Sequence, residues 1–229
     1  MPPISTNMAD KGYVTDDLVA HYSARAKGGV GLIVTEVVTV EPTYVYLPGD
    51  MSIYDDSFIP GWKELVEGVH KYDTKILAQL FHPAYMAFPI PGTPQLIAPS
   101  NVGPYYAKSA PRPATVEELH TIVDQFGQAA HRVQLAGGDG VEIQCAHAHG
   151  LLGGFLTPLY NKRTDEYGGN IDGRLRLCLE VIESIRKYCG DDFIIDVRIS
   201  GDEYSEGGLT LNDQIYVSKQ LEKAGVDFI

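Results

Sequence analysis

Several features that would place this chain in a special class of protein are missing from its sequence. No apolar run approaches the ~18 residues that a membrane-spanning helix needs. The opening MPPISTNMAD lacks the basic and apolar regions of a signal peptide. The three cysteines, Cys145, Cys178 and Cys189, form neither an even disulfide framework nor a CxxC metal pair. These absences predict a protein of a reducing cytoplasm.

Positive charge is also scarce. The chain carries 18 Lys and Arg against 30 Asp and Glu, a net charge of −12. Such a surface repels nucleic acid and anionic membranes, so neither is expected as a partner. A phosphate-bearing ligand would need a local site. No GxGxxG follows the first strand candidate, which argues against an open dinucleotide-binding sheet.

What the sequence does contain is an alternation of short apolar runs and longer segments of helical period. This order predicts βα units around a parallel sheet. The strand candidates are residues 31–38, 75–81, 140–144, 193–200 and 226–229, with MPPI as the tail of an earlier strand. Six strands fall short of the eight that a closed barrel needs, and the chain stops within an apolar run. We therefore expect a single domain over residues 1–229, a (β/α)8 TIM barrel that is incomplete and lacks its last two βα units.

The helix candidates begin at recognisable caps. Thr115 with Glu118 and Thr210 with Asp213 are capping boxes, Thr15 begins a further helix, and Pro60 opens another. The loop of residues 82–113 is rich in Pro, Gly and Tyr, and its length indicates a functional lid or rim.

Polar residues gather where these strands end, which is where parallel α/β domains place their functional groups. We expect one face to carry Ser5, Thr6, Glu36, Val37, Gln79, His82, Gln144, His147, His149 and Arg198. The HAH of residues 147–149 has three interpretations: a zinc site completed by His82 and Asp202, a substrate site, or ordinary loop histidines.

Arg198 poses a similar choice. A guanidinium stays charged, so within the apolar run IIDVRIS it needs an anionic or electron-rich partner. That partner is either Glu142 or Asp196 in a buried ion pair, or a ligand group that gains negative charge during a reaction. Gln79 likewise needs partners for both ends of its amide.

The segment DGVEIQCAHAHGLLGGFLTPLYNKRTDEYGGNIDGRLRLCLEVIESIR resembles the signature of the Old Yellow Enzyme family of FMN-dependent oxidoreductases, also described as NADH:flavin oxidoreductases. ARAKGGVGLIVTEVV, ILAQLFHPA, VRISGDEYSEGGLT and LEKAGVDFI follow the family's order and spacing, so the resemblance covers essentially all 229 residues. It implies a TIM barrel with FMN over the carboxyl ends of the strands and NADH or NADPH as reductant.

The resemblance also implies which residues contact the flavin. Pro3 and Ser5 lie where the family bonds the isoalloxazine ring, and Val37 replaces a smaller residue beside it. Gln79 matches the glutamine on the pyrimidine edge, and Arg198 matches the arginine that stabilises the anionic reduced flavin. The last two strands, which supply the family's FMN phosphate site, would lie beyond Ile229.

The family's substrate-binding pair, a His and a second His or Asn, corresponds to Gln144 and His147. Gln144 donates a hydrogen bond but carries no positive charge, so we expect weaker activation of the substrate carbonyl. The family's acid tyrosine is absent, and His149, Tyr85 or water are the candidates to replace it. A 4Fe–4S cluster, held by some relatives after the barrel, is expected only in a longer parent chain.

Three functions remain open at this stage. The first is an ene, enoate or dienoyl reductase acting on an unsaturated carbonyl or CoA thioester. The second is an amine dehydrogenase or demethylase, favoured if Tyr85, Tyr105 and Tyr106 form an aromatic bowl. The third is a non-catalytic remnant barrel. The sequence leaves open whether the protein forms a homo-oligomer.

Overall fold

Five parallel strands form one sheet in the computed structural model, which describes residues 1–88, 92, 94–102 and 110–229. The strands in chain order are β1 Leu32–Thr39, β2 Met51–Ser52, β3 Lys75–Phe81, β4 Ile97–Ala98, β5 Arg112–Pro113, β6 Gly140–Gln144 and β7 Ile194–Arg198. The main sheet has the order β2-β1-β3-β6-β7, while β4 and β5 pair separately. β1, β3 and β6 are buried along nearly their whole length, as expected of parallel strands that helices cover.

Helices connect and cover these strands. They are α1 Asp16–Lys27, α2 Ile59–His70, α3 Val116–Leu135, α4 Gly150–Leu156, α5 Ile171–Cys189 and α6 Leu211–Lys223, with short 3-10 turns at Asp56–Phe58 and Ala84–Met86. Thr15, Thr115 and Thr210 cap their helices as predicted, and both predicted capping boxes are present. Among the helices of the described residues, none is both long and apolar enough to cross a membrane.

The predicted strands are largely confirmed. Residues 75–81 and 140–144 match β3 and β6, and the predictions for β1 and β7 are shifted or too long by a few residues. The two remaining strand candidates, residues 1–4 and 226–229, form isolated backbone pairings and not regular strands. Met1 hydrogen-bonds to Leu32 and Val34 beside β1, and Phe228 bridges Asp196 beside β7. Strand β2 was not predicted, because two residues are too few to show a period.

The sheet therefore has the open form that the sequence predicts. Strands β1, β3, β6 and β7 follow one another in the order of a barrel, β2 pairs on the other side of β1, and no pairing within the described residues closes the sheet. Helix α4 was missed, since three of its seven residues are glycine, which disfavours helix in isolation. Its seven residues are all buried, so tertiary packing outweighs the low helix propensity of glycine.

The charged run NKRTDEYGG, residues 161–169, is held in place by side-chain hydrogen bonds to backbone carbonyl groups. Asn161 is buried and donates from Nδ2 to the carbonyl oxygens of Phe155 and Tyr167, both at 2.7 Å. Arg163 donates to the carbonyl oxygens of Pro99 and Ala114 at 3.1 and 2.7 Å. These hydrogen bonds attach the segment that precedes α5 to the segments that follow β4 and β5.

Phe126 tests the packing between α3 and α5. It is fully buried, whereas Leu135, the last residue of the same helix, is 58% exposed. We expect Phe126→Ala to lower the free energy of unfolding by about 3–5 kcal/mol, because it removes a core ring and leaves a cavity. Leu135→Ala should change it by less than about 0.5 kcal/mol. Urea unfolding followed by circular dichroism measures both, and equal effects would contradict this description of the core.

Candidate active site

The register of the sheet places polar residues of three strands, β3, β6 and β7, in two rows, the first of which continues to Val37 of β1. Val37 pairs with Gln79, Gln79 with Glu142, and Glu142 with Asp196. Two residues further along β6 and β7, Gln144 pairs with Arg198. Because paired residues in neighbouring strands point to the same face, both rows lie on one side of the sheet near its carboxyl edge.

Gln79 and Glu142 are joined directly. Gln79 Nε2 donates to Glu142 Oε1 at 2.5 Å, and both side chains are almost completely buried. Burial and the neighbouring Asp196 raise the pKa of Glu142 to about 7. Among the described residues, none donates a hydrogen bond to the amide oxygen of Gln79. That oxygen is therefore left to accept from a ligand.

Arg198 does not form the buried ion pair that was one of its two interpretations. No carboxylate of the described residues lies within 4.0 Å of its guanidinium, although its charge partly offsets the rise that burial causes in the pKa of Glu142 and of Asp196. It lines a cleft of about 460 Å³ together with these two carboxyls, Ser200 and Gln214. A cation held without a close counter-ion favours the interpretation that a ligand supplies the negative charge.

Gln144 and His147 lie close to Arg198. Gln144 Oε1 accepts from the backbone N–H of Ala146 at 3.0 Å, which turns the amide nitrogen outward as a donor. The backbone N–H of His147 donates to Ser200 Oγ at 2.8 Å, and its side chain is exposed. Burial of the ring edge and the charge of Arg198 lower the pKa of His147, so its imidazole is a neutral donor near pH 7.

His149 has different surroundings. Its ring stacks on Phe81 with centroids 5.0 Å apart, and its Nε2 lies 3.2 Å from the Tyr46 hydroxyl. Burial lowers its pKa to about 4. The turn is possible because His147, Ala148 and Gly150 all have positive φ, and a Cβ at Gly150 would collide with Phe81 and His82. His149 is therefore an uncharged group held by aromatic contacts.

The zinc interpretation of the HAH motif finds no support in the geometry. His147 shares a cleft with Asp202, His149 packs between Phe81 and Tyr46, and His82 is buried beside Tyr44. The described part of the chain holds no group of three or more His, Cys, Asp or Glu that could bind a metal ion. The four candidate zinc ligands therefore lie in different surroundings and do not form one site.

The first residues of the chain cross the carboxyl end of β1. Ser5 is exposed and bonds Asp50, and the backbone N–H of Thr6 donates to Glu36 Oε2 at 2.5 Å. Pro3 is half-buried, and Val37 is buried opposite Gln79. The structure thus brings Ser5, Val37 and Gln79 to the same end of the sheet, and their flavin-binding roles remain predictions.

Sequence reasoning gave little weight to the buried acids of this region. Burial and Glu36 raise the pKa of Asp50 to about 7, and burial raises the pKa of Glu36. One carboxylate oxygen of each has no hydrogen-bond partner among the described residues. A carboxylate inside an apolar strand, such as the Glu in LIVTEVV or GVEIQ, was the available signal.

Two tyrosine predictions have different outcomes. The hydroxyl of Tyr85 donates to the carbonyl oxygen of Ala148, and its ring contacts Tyr160 with centroids 5.7 Å apart. Tyr105 and Tyr106 lie outside the described residues, so the aromatic bowl remains a prediction. Tyr46, which no sequence pattern singled out, is the phenol that contacts His149.

The donors and acceptors at this edge fit the pyrimidine end of a flavin. Gln79 presents an amide oxygen that suits a ring N–H, and Arg198 presents a charge that suits a carbonyl and nitrogen that become negative on reduction. Gln144 shares its row with Arg198, one row nearer the strand ends than Gln79, and His147 follows shortly after the end of β6.

Comparison with known proteins agrees with this chemistry. The family model described as NADH:flavin oxidoreductase / NADH oxidase family matches residues 1–229. An NADH oxidase of Thermoanaerobacter brockii is 40% identical over 99% of the chain and 35% of its own length. An N,N-dimethylglycine/sarcosine dehydrogenase of Chromohalobacter salexigens is 34% identical over 96% of the chain and 32% of its own length.

Solved structures show the same likeness. A 2-naphthoyl-CoA reductase bound to 2-naphthoyl-CoA superposes with a TM-score of 0.91 at 26% identity, over 99% of this chain and 36% of that one. Old Yellow Enzyme from Pichia sp. AKU4542 gives 0.88 at 30% identity, over 97% of this chain and 62% of that one. The chain thus spans from about a third to about two thirds of the length of its relatives.

The buried acids predict how stability depends on pH. The pKa of Asp50 is raised to about 7 in the folded chain, so the folded chain binds this proton more tightly than the unfolded chain. The stabilisation that results is fully present below pH ~4 and is lost as pH rises through about 7. We expect the free energy of unfolding to fall between pH 5 and 8. Asp50→Asn should reduce this fall by at least about 1.4 kcal/mol, the equivalent of one pKa unit. Urea titrations across this range measure it, with the exposed Asp191→Asn as control. An unchanged pH dependence would show that Asp50 is ionised in the folded chain.

Proposed function

Because the chain belongs to the NADH:flavin oxidoreductase / NADH oxidase family, we propose that it forms the flavin-facing and substrate-facing part of an FMN-dependent oxidoreductase using NADH or NADPH. The observation that carries this proposal is that Arg198, with no carboxylate of the described residues within 4.0 Å, lies on the same face of the sheet as Gln79, whose amide oxygen has no donor among those residues. The two residues lie on β7 and β3, the strands on either side of β6. A cation and an acceptor on one face match a ring that carries an imide N–H and gains negative charge.

Each flavin-facing residue then has a physical task. A bound FMN would supply hydride transfer from the nicotinamide to an activated C=C bond. Gln79 orients the ring through its amide oxygen, and Arg198 stabilises the charge that accumulates at the pyrimidine end. Val37 limits how closely the ring approaches β1, and Pro3 and Ser5 cover the end of that strand.

Gln144 and His147 hold the substrate oxygen in this proposal. The amide oxygen of Gln144 is occupied by the Ala146 N–H, so its NH₂ group is the part that can donate to a carbonyl. His147 is neutral near pH 7 and donates one N–H. Two neutral donors stabilise an enolate-like charge less than a charged donor would, so slower reduction of weakly activated substrates follows.

We assign proton delivery to His149 together with Tyr46. The uncharged imidazole and the phenol are hydrogen-bonded to each other, and Phe81 packs against both of these half-buried rings. Such a pair can hand on a proton without forming an isolated buried charge. Tyr85 is the weaker candidate, because its hydroxyl is engaged by the carbonyl oxygen of Ala148.

The substrate class we favour is an unsaturated carbonyl compound or its CoA thioester. The two side-chain donors that we assign to the substrate, Gln144 and His147, suit a carbonyl oxygen, and one structural relative is a 2-naphthoyl-CoA reductase. The second candidate is oxidation of a methylated amine, since a curated relative is a dimethylglycine/sarcosine dehydrogenase. A cation would instead be repelled by Arg198 and prefer aromatic faces.

The test of the proposed function begins with the purified protein and added FMN. We expect a bound oxidised-flavin absorbance that NADH or NADPH bleaches and that an enone restores. Arg198→Met should weaken FMN binding about 10- to 100-fold, because it removes a charge-assisted contact. The exposed Arg176→Met is the matched control. Reduction of the oxidised flavin by a methylated amine, without reoxidation of the reduced flavin by an enone, would support the second candidate, and absence of flavin binding would leave a non-catalytic barrel.

Gln144→Leu tests the substrate-binding pair separately. It keeps the volume of the side chain and removes its N–H donor, so we expect kcat for an enone to fall about 100-fold. Reduction of the flavin by NADH or NADPH should change less than threefold, since Gln144 is assigned to the substrate oxygen. Stopped-flow measurement of the two half-reactions distinguishes them, and an equal loss in both would show that Gln144 holds the flavin instead.

A further inference from the structure

Gln79, Glu142 and Asp196 form a row of side chains across three neighbouring strands. Gln79 of β3 pairs in register with Glu142 of β6, which pairs with Asp196 of β7. Gln79 and Glu142 are 2% and 4% exposed, and Asp196 is half-buried. The row lies directly below Gln144 and Arg198, away from the edge where a substrate would arrive.

The hydrogen bonds of this row have one consistent direction. Gln79 Nε2 donates to Glu142 Oε1. The carboxyls of Glu142 and Asp196 lie within hydrogen-bonding reach of each other, and two carboxylates so close in a dry interior cannot both be ionised. The backbone N–H of Val197 stabilises Asp196 as the anion, so the shared proton belongs on Glu142. Glu142 therefore donates to Asp196 and accepts from Gln79.

We propose that Glu142 and Asp196 share one proton and act as positioning residues, which hold the Gln79 amide with its oxygen turned toward the ligand. This inference rests on the proposed function only in naming that ligand as the flavin ring. With its nitrogen held by Glu142, Gln79 selects a heterocycle that has an imide N–H. An N-alkylated ring would face the amide oxygen without a hydrogen to donate.

The shared proton also limits the charge beneath the ring. With it the pair carries one negative charge, and without it the pair carries two. The charged group facing the pair is Arg198, while the neutral Gln214 and Ser218 of α6 and the last residue, Ile229, line the same cleft. A single anion opposite a single cation leaves the region nearly neutral, which suits a ring that itself becomes negative.

The first experiment needs no flavin. In NMR spectra of the isotope-labelled protein, the side-chain NH₂ of Gln79, assigned by its loss in Gln79→Leu, should shift with pH around a midpoint near 7. Glu142→Gln keeps the oxygen that accepts from Gln79 and the donor to Asp196, so it should retain the resonance position and abolish the pH dependence. In Glu142→Leu the resonance should move to the position of a free amide. A pH-independent Gln79 resonance in the wild-type protein would overturn the proposal.

The second experiment tests the orientation of the Gln79 amide by comparing a flavin that has an imide N–H with one that lacks it. Binding of FMN and of N3-methyl-FMN is followed by quenching of flavin fluorescence. The wild-type protein and Glu142→Gln should prefer FMN at least about tenfold, and Glu142→Leu should lose this preference to within about threefold. The exposed Glu183→Leu is the matched control.

The two experiments separate the two proposals. If Glu142→Leu still prefers FMN as strongly as the wild-type protein, Glu142 does not position Gln79. If the wild-type protein binds neither flavin, the proposed function fails, and the NMR titration alone decides whether Glu142 and Asp196 hold Gln79 through a shared proton.

Discussion

The parallel register of β3, β6 and β7 is the constraint on which the candidate site depends. It places Gln79, Glu142 and Asp196 side by side, although 63 residues separate the first two in the chain. A slip of one residue in any of these strands would turn the row to the opposite face. The apolar residues that alternate with the row, such as Leu80, Ile143 and Val197, pack under the helices and keep the register in place.

Burial of polar groups explains most of the electrostatics. The interior contains the carboxyls of Glu36, Asp50, Glu142 and Asp196, and burial raises the pKa of each. Arg198 is the cation among them and has no carboxylate within ion-pair distance in the described part of the chain. In the proposed function, this charge is available to a ligand that becomes negative.

The chain differs from the pattern of its family where the substrate would bind. An amide at Gln144 stands in place of an imidazole, and the histidines that follow are neutral for different reasons: His147 because Arg198 and burial disfavour its charge, His149 because aromatic rings enclose it. All donors at this edge are thus uncharged near neutral pH except Arg198. In the proposed function, the substrate therefore receives hydrogen bonds from neutral donors, which are weaker than those from a charged donor.

Local sequence patterns by themselves determined the helices with capping boxes, the βα alternation and strands such as 75–81 and 140–144, because caps and apolar periods act over a few neighbouring residues. The family motifs also predicted two flavin contacts, Gln79 and Arg198. Tertiary structure decided the rest. Strand β2, helix α4, the contact of His149 with Tyr46 and the bond between Gln79 and Glu142 each depend on partners distant in the chain. Only folding reveals which polar group in a dry interior keeps its proton and which is left for a ligand, because both follow from distances that sequence spacing does not contain.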